Sequence, residues 1–194
     1  MRKILSPLFS IFLFLVPFLF LLVSCNDDVL PKPKAYLSLE YPKKEYKTFN
    51  VKRPYSFEVL KTTTIIDDKN NWLKIKYPNL KASIDITYRP VNNNLKELFT
   101  EAEKLVFKHA VKAEQIIPKD FVNPKNRTFG SLYEITGNAA SHLQFHVTDS
   151  TTHFIKGSLY FYAKPNYDSI LPAVAYIKED VLKLIETTKW KKSL

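Results

Sequence analysis

The feature that most limits what this chain can fold into is its single cysteine, Cys25, standing at the end of a long apolar run. Arg2 and Lys3 precede Ile4 to Val23, and Leu22-Val23-Ser24-Cys25 closes the run. A basic start, an apolar stretch and a small residue before the junction form a bacterial secretory signal. With cysteine at the junction the pattern resembles a lipobox, in which the thiol takes up a diacylglycerol and the cut falls before it. A membrane-spanning anchor is the competing reading, because the run is about long enough to cross a bilayer. The lone cysteine at the lipobox position favours cleavage and lipidation, including acylation by a fatty acid such as palmitate. Residues 1–24 are therefore set aside as a signal peptide, with Cys25 as the lipidation site. No thiol then remains for a disulfide, a thiolate metal site or a cysteine nucleophile. The folded part has to be held by packing.

Residues 25–194 are the size of one ordinary domain. Hydrophobic content of 45% and aromatic content of 14% suffice for a core, which argues against global disorder. The formal charge is +10, and losing Arg2 and Lys3 leaves about +8. Outside the cytoplasm such a surface is not expected to meet nucleic acid. Anionic lipid, lipopolysaccharide or an acidic protein face are the partners it suits, and a lysine-rich surface serving solubility alone is the plainer reading. Acidic residues are interspersed throughout, and no long block of one charge occurs.

Residues 25–35 read as a lipidated tether: Asn26-Asp27-Asp28 is polar, and Pro31-Lys32-Pro33-Lys34 favours an extended chain. The acidic pair after Cys25 partly matches the signal that sends some lipoproteins of Bacteroidota to the cell surface. The expected location is the cell envelope, membrane-anchored and facing the periplasm, with surface exposure left open. The globular domain is placed at 36–194. Tyr55 to Val59 alternates apolar and polar residues, Thr62 to Ile66 is β-branched, Trp72 to Tyr77 stops at Pro78, and Ala82 to Tyr88 alternates up to Arg89-Pro90. Leu95, Leu98, Phe99, Ala102, Leu105, Val106 and His109 then recur at helical spacing, with Asn94 and Glu97 placed for a capping box. His109 suits stabilisation of that helix's C-terminal end. Residues 110–128, with Pro118 and Pro124, read as irregular. Strands are expected at Thr128 to Ile135, Ser141 to Thr148 and Phe154 to Ala163. A last helix is expected over Ser169 to Trp190, with Pro172 in its first turn and Val174, Ile177, Val181, Leu184, Ile185 and Thr188 on one face. Runs of neighbouring strands imply hairpins. The expected fold is a single α+β domain with a mainly antiparallel sheet packed by two main helices. By pattern the order resembles the Mog1/PsbP-like sandwich, a likeness of fold that carries no function.

Enzyme signatures are mostly missing. Gly130, Gly137 and Gly157 are the only glycines, too far apart for a phosphate-cradling loop, a dinucleotide fingerprint or a nucleophile elbow. His142 and His146 share a strand face by alternation, and a turn at 149–152 would bring His153 diagonally beside His146. A zinc-dependent hydrolase could be imagined on them, but no carboxylate joins the set. The plainer reading is a polar outer face opposite buried Leu143, Phe145 and Val147. No metal, cofactor or catalytic residue is assigned. Tyr160-Phe161-Tyr162, with Tyr167 nearby, is the densest aromatic stretch. If Tyr160 and Tyr162 continue the Phe145–Val147 face, Phe161 and Tyr167 are the candidates for contact with a partner. Trp190, beside Lys189, Lys191 and Lys192, either touches an anionic membrane or pins the last helix to the sheet. Asp149-Ser150-Thr151 and Asp168-Ser169-Ile170 resemble O-glycan acceptors of Bacteroidota, making Ser150 and Ser169 candidate sites. As structure they read as a hairpin turn and a helix cap.

Several stretches together resemble one family: Val29 to Tyr36, Pro90 to Leu95, Phe121 to Pro124, Gly137 to Ser141 and, most specifically, Gly157 to Pro172. They are similar to the gliding-motility lipoprotein GldD family of Bacteroidota across essentially all of the chain after the signal. That resemblance implies a non-enzymatic envelope lipoprotein required for gliding and linked to type IX protein secretion, with components of that machinery as partners. It supplies no catalytic residue. The alternative is a carbohydrate- or lipid-binding envelope lipoprotein using the aromatic strand.

Overall fold

The computed structural model describes residues 41–50, 52–162 and 166–191; the signal peptide, Cys25 and the tether of 25–35 lie outside the described residues. The strands are β1 (Tyr46–Phe49), β2 (Tyr55–Leu60), β3 (Thr64–Asp67), β4 (Leu73–Tyr77), β5 (Ala82–Pro90), β6 (Ala113–Asn123), β7 (Thr128–Gly137), β8 (Leu143–Thr148), β9 (His153–Phe161) and β10 (Lys189–Trp190). Two helices join them, α1 (Leu95–His109) and α2 (Tyr167–Thr187). The strands form a seven-stranded sheet in the order β3-β4-β5-β9-β8-β7-β6 and a three-stranded sheet in the order β1-β2-β10. Every pairing is antiparallel, which gives the α+β class expected from the run of hairpins.

The large sheet is two meanders joined at one seam. β3-β4-β5 and β6-β7-β8-β9 are each hairpin-connected, and β5 pairs with β9 from Ala82↔Phe161 to Pro90↔His153. α1 lies in the connection between the meanders and covers one face of the sheet, where Leu98 and Ala102 pack on Phe154, and Val106 on Ile135 and Ala139. The other face carries the main core. Ile75, Ile84, Ile86, Phe145, Val147, Ile155 and Leu159 meet Phe57 and Val59 of β2 and Val174, Ile177, Val181, Leu184 and Ile185 of α2. Those α2 residues are the face read from the sequence. Burying one such aliphatic side chain contributes about 1.5–3 kcal/mol, so this interior is the main source of stability.

The structure departs from the expected elements at four places. Residues 113–123, read as irregular, are the strand β6. It sits at the sheet edge with β7 as its only neighbour, where Pro118 (opposite Tyr133) can be accommodated because an edge strand does not need every backbone donor. Strand β5 likewise runs on through Pro90 rather than stopping at Tyr88. The Asn94–Glu97 capping box does not form, because Asn94 Oδ1 accepts the Asn92 N–H at 2.8 Å and Asn94 makes no side-chain cap bond. Helix α2 starts at Tyr167 after Asn166, so Ser169 is inside its first turn rather than the cap. Pro172 therefore falls in the helix interior, and Trp190 belongs to β10.

The first described residues are clasped onto α2. The Tyr41 and Tyr176 rings stack at 4.4 Å, and Lys44 Nζ donates to the Tyr176 carbonyl at 2.5 Å and to Asp180 at 2.9 Å. Tyr46 Oη donates to the same Asp180 oxygen at 2.8 Å. Asp180 is only 4% exposed, a buried carboxylate held by a cation and a phenol.

Candidate functional site

An open cleft of about 710 Å3 is lined by two turns and the C-terminal segment of the described chain. Lys125, Asn126 and Arg127 come from the β6–β7 turn, Asp149, Thr151 and Thr152 from the β8–β9 turn with His153 at the start of β9, and Lys189 and Trp190 from β10 with Lys191 just after it. Its only carboxylate is fully engaged by its own turn. Asp149 Oδ1 accepts the N–H groups of Thr151, Thr152 and His153 at 3.0, 2.7 and 2.8 Å, and Oδ2 accepts the Thr151 hydroxyl at 3.1 Å. Burial alone would raise the Asp149 pKa, but these bonds outweigh it and hold the carboxyl below its ordinary value. The turn residue Ser150 has φ +68°, a left-handed conformation that the Asp149 bonds stabilise.

The wall of the cleft is braced. The Trp190 indole stacks on His153 at 5.2 Å and 8°, and its Nε1–H donates to the Arg127 carbonyl at 2.9 Å. Trp190 also pairs with Tyr55 through the β10–β2 ladder, and the Lys191 N–H donates to the Pro54 carbonyl at 2.8 Å. Trp190 thus pins the end of α2 to the sheet. The Arg127 guanidinium makes only long contacts to neutral oxygens, the Asp149 carbonyl at 3.4 Å and the Thr151 hydroxyl at 3.3 Å. Among the described residues Lys125, Arg127 and Lys189 form no ion pair, as is also true of lysines elsewhere on the surface such as Lys96 and Lys104.

The histidines do not assemble. Strand β8 begins at Leu143, and His142, just before it, turns to the α2 side. There its ring lies 5.3 Å from that of Tyr167 and its Nδ1 bonds the Ile135 carbonyl. His146 faces α1, edge-on to Phe99 at 5.0 Å and stacked on Phe154 at 5.8 Å. His153 faces the main core, with Nδ1 at 2.9 Å from the Tyr88 hydroxyl. The expected shared face of His142 and His146 is therefore broken, as is the diagonal pairing of His146 with His153. Nor is the face of Gln144 and His146 an outer one: both are buried, because α1 covers it. Burial pushes all four histidines of the chain below their ordinary pKa, His146 to about 4. At His109 burial comes first and the Lys108 and Lys156 charges add to it in lowering the pKa, and its ring lies 5.8 Å from that of Tyr160. Among the described residues no three His, Cys, Asp or Glu are grouped to hold a metal.

The aromatic strand faces the opposite way from the expected arrangement. Phe161, not Tyr160 or Tyr162, continues the face of Phe145 through Gly157 and Leu159, and it packs half-buried against the main core. Tyr162 is the exposed member at 56%, its hydroxyl donating to Ser83 Oγ at 2.9 Å. Tyr167 is half-buried beside His142, with its N–H on Asn138 Oδ1 at 3.2 Å. Ser150 and Ser169 are both exposed. The cleft itself was not read from the sequence. Its cations come from segments more than sixty residues apart, and only the Lys189–Lys191 run around Trp190 signalled it.

A search among curated proteins finds no match to this chain. The family model described as gliding motility lipoprotein GldD matches residues 26–190. That span takes in every strand and both helices described above, together with the cleft up to Trp190 and the stretch from Gly157 to Pro172. A match running unbroken from the residue after Cys25 to the last strand places the whole fold, rather than one motif, within one lineage: the chain belongs to the family of gliding motility lipoproteins named GldD.

Proposed function

We propose that this protein is a lipid-anchored, non-catalytic accessory of the gliding apparatus that works with the type IX secretion machinery from the periplasmic side of the envelope. The observation that carries the reading is the match of the gliding motility lipoprotein model over residues 26–190. On this reading residues 1–24 are the signal peptide, lipidated Cys25 and the tether to 35 hold the protein to the membrane, and residues 36–194 form the working domain. The two acyl chains of the diacylglyceryl group give stable anchoring, and a basic domain adds an attraction to anionic lipid. The use made of the buried ionisable groups supports a structural over a chemical role. Asp149 is consumed by a turn, Asp180 by the Lys44–Tyr46 clasp, and the histidine rings by aromatic packing. Of the two aromatics proposed for partner contact, Tyr167 is the one outside the main core and is favoured over Phe161.

The test is affinity purification of the tagged, full-length protein from cross-linked gliding cells. Secretion and gliding components should co-purify, and their yield should fall with Tyr167→Ala at unchanged protein abundance. Recovery of no component of either machinery, from cells that still need the protein for gliding, would refute the reading.

A further inference from the structure

We propose that the cleft between the β6–β7 turn, the β8–β9 turn and β10 is a binding site for a phosphate-bearing ligand. Lys125, Arg127, Lys189 and Lys191 line it from two sides, and among the described residues no carboxylate pairs with the first three. A planar guanidinium with ammonium groups around it is the donor set that suits a multiply charged tetrahedral oxyanion. Thr151 and Thr152 form the third side, with the Thr151 hydroxyl donated to Asp149 and the Thr152 hydroxyl to Thr151. Asp149, which would repel an anion, has its charge shared among three backbone N–H groups and a hydroxyl, so it fixes the turn and weakens the opposition to an incoming anion. The geometry is also set in advance. Trp190 is held by its stack on His153 and its bond to the Arg127 carbonyl, which ties the wall carrying Lys189 to the turn carrying Arg127. Binding then costs little reordering of the backbone. At about 710 Å3 the cleft is far larger than a lone ion, and falls within the range that encloses a headgroup or a small phosphate ester. This inference rests on the cleft alone and stands or falls independently of the gliding role.

The two tryptophans of the chain give a direct reporter. Trp190 is in the cleft, while Trp72 donates to the Tyr88 carbonyl elsewhere, and Trp72→Phe assigns their indole N–H resonances. The full-length lipoprotein in dodecyl maltoside micelles is titrated with inorganic phosphate, glucose 6-phosphate and dihexanoyl phosphatidic acid. Dihexanoyl phosphatidylcholine, acetate and hexaglutamate serve as controls. A saturable shift of Trp190 with at least one of the three phosphate probes is expected, weakened about tenfold or more by Lys125→Gln/Arg127→Gln. The charge-matched pair Lys96→Gln/Lys104→Gln on α1 should stay within about twofold of wild type. An unchanged Trp72 resonance certifies the fold of each variant, and Lys125→Gln/Lys189→Gln replaces the first pair if the Arg127 turn does not tolerate glutamine. Dihexanoyl phosphatidic acid binding tenfold tighter than both soluble probes points to a membrane headgroup; equal or weaker binding points to a soluble phosphate ester. The proposal is overturned by the absence of a saturable shift up to about 20 mM probe, by equal weakening in the α1 control pair, or by a response to hexaglutamate or acetate that matches the phosphates.

Discussion

Acidification should destabilise this protein through its histidines before its carboxylates take part. His146 is 3% exposed, packed between Phe99 on α1 and Phe154 on β9, and its pKa is pushed down to about 4 by burial. In the unfolded chain the same ring titrates near 6.5. A folded value below the unfolded one means that the unfolded chain binds the proton first as pH falls. The stabilisation from His146 is therefore complete above about pH 7, is lost progressively below the unfolded value, and stops changing below about 4. Between pH 7.5 and 5 the loss from this ring alone comes to about 2 kcal/mol. His109, His142 and His153 are shifted the same way and add to it. Glu101, whose bond and charge contacts with Lys156 and Arg89 lower its pKa against burial, and Asp149 contribute only below the ordinary carboxylate values. The window from pH 7.5 to 5 thus isolates the imidazoles. Urea unfolding of the detergent-solubilised protein, followed by tryptophan fluorescence at both pH values, gives the measurement. His146→Leu keeps an apolar group of similar size where Nδ1 has no partner among the described residues, and should shrink the pH difference by about 2 kcal/mol. A wild-type protein equally stable at both pH values, or a His146→Leu protein with an undiminished difference, would refute the reasoning.

Three further outcomes can be measured. In Gly157→Ala the new methyl would sit 2.3 Å from Cε1 and Cζ of Phe145, so the substitution should cost about 1–3 kcal/mol, and Phe145→Leu in the same chain should recover part of it in a double-mutant cycle. Asp180→Ala leaves Lys44 and the Tyr46 hydroxyl without their shared acceptor and should cost about 1–3 kcal/mol by thermal unfolding, since Lys44 keeps Glu179 at 3.1 Å as a fallback. Cys25→Ala should abolish metabolic labelling with a fatty-acid analogue, and equal labelling of both proteins would end the lipidation assignment.

Much of the fold was legible because burial leaves a period in the sequence. The apolar stripe of α2 from Val174 to Thr188 and the alternation of β2, β4 and β5 name their buried faces directly, since each packs on one side. Strand β6 was hidden for the opposite reason. It lies at the edge, largely exposed, so it carries no strong alternation, and Pro118 looks like a breaker to anyone who cannot see that its neighbour is on one side only. The polar residues Gln144 and His146 suggested a solvent face because nothing local announces that α1, from a different part of the chain, lies across it. The break between His142 and Leu143 shifts the face of a single histidine, a one-residue event that periodicity cannot resolve. The cleft is assembled by tertiary structure from turns whose sequences look like ordinary loops.

The clasp of Tyr41 to Tyr46 on α2 has a mechanical consequence. A pull entering the domain at Tyr41 meets the Tyr41–Tyr176 stack and the Lys44–Asp180 bond before it reaches the β1–β2 ladder. Tension is therefore delivered sideways into the middle of a long helix rather than peeling a terminal strand. Helix α2 passes through buried Thr188 straight into β10, whose Lys189 and Trp190 form one wall of the cleft. The first described residues and one wall of the cleft are thus joined through a single segment, α2 followed by β10, with Asp180 as the pin at which residues 41–46 are fastened to it.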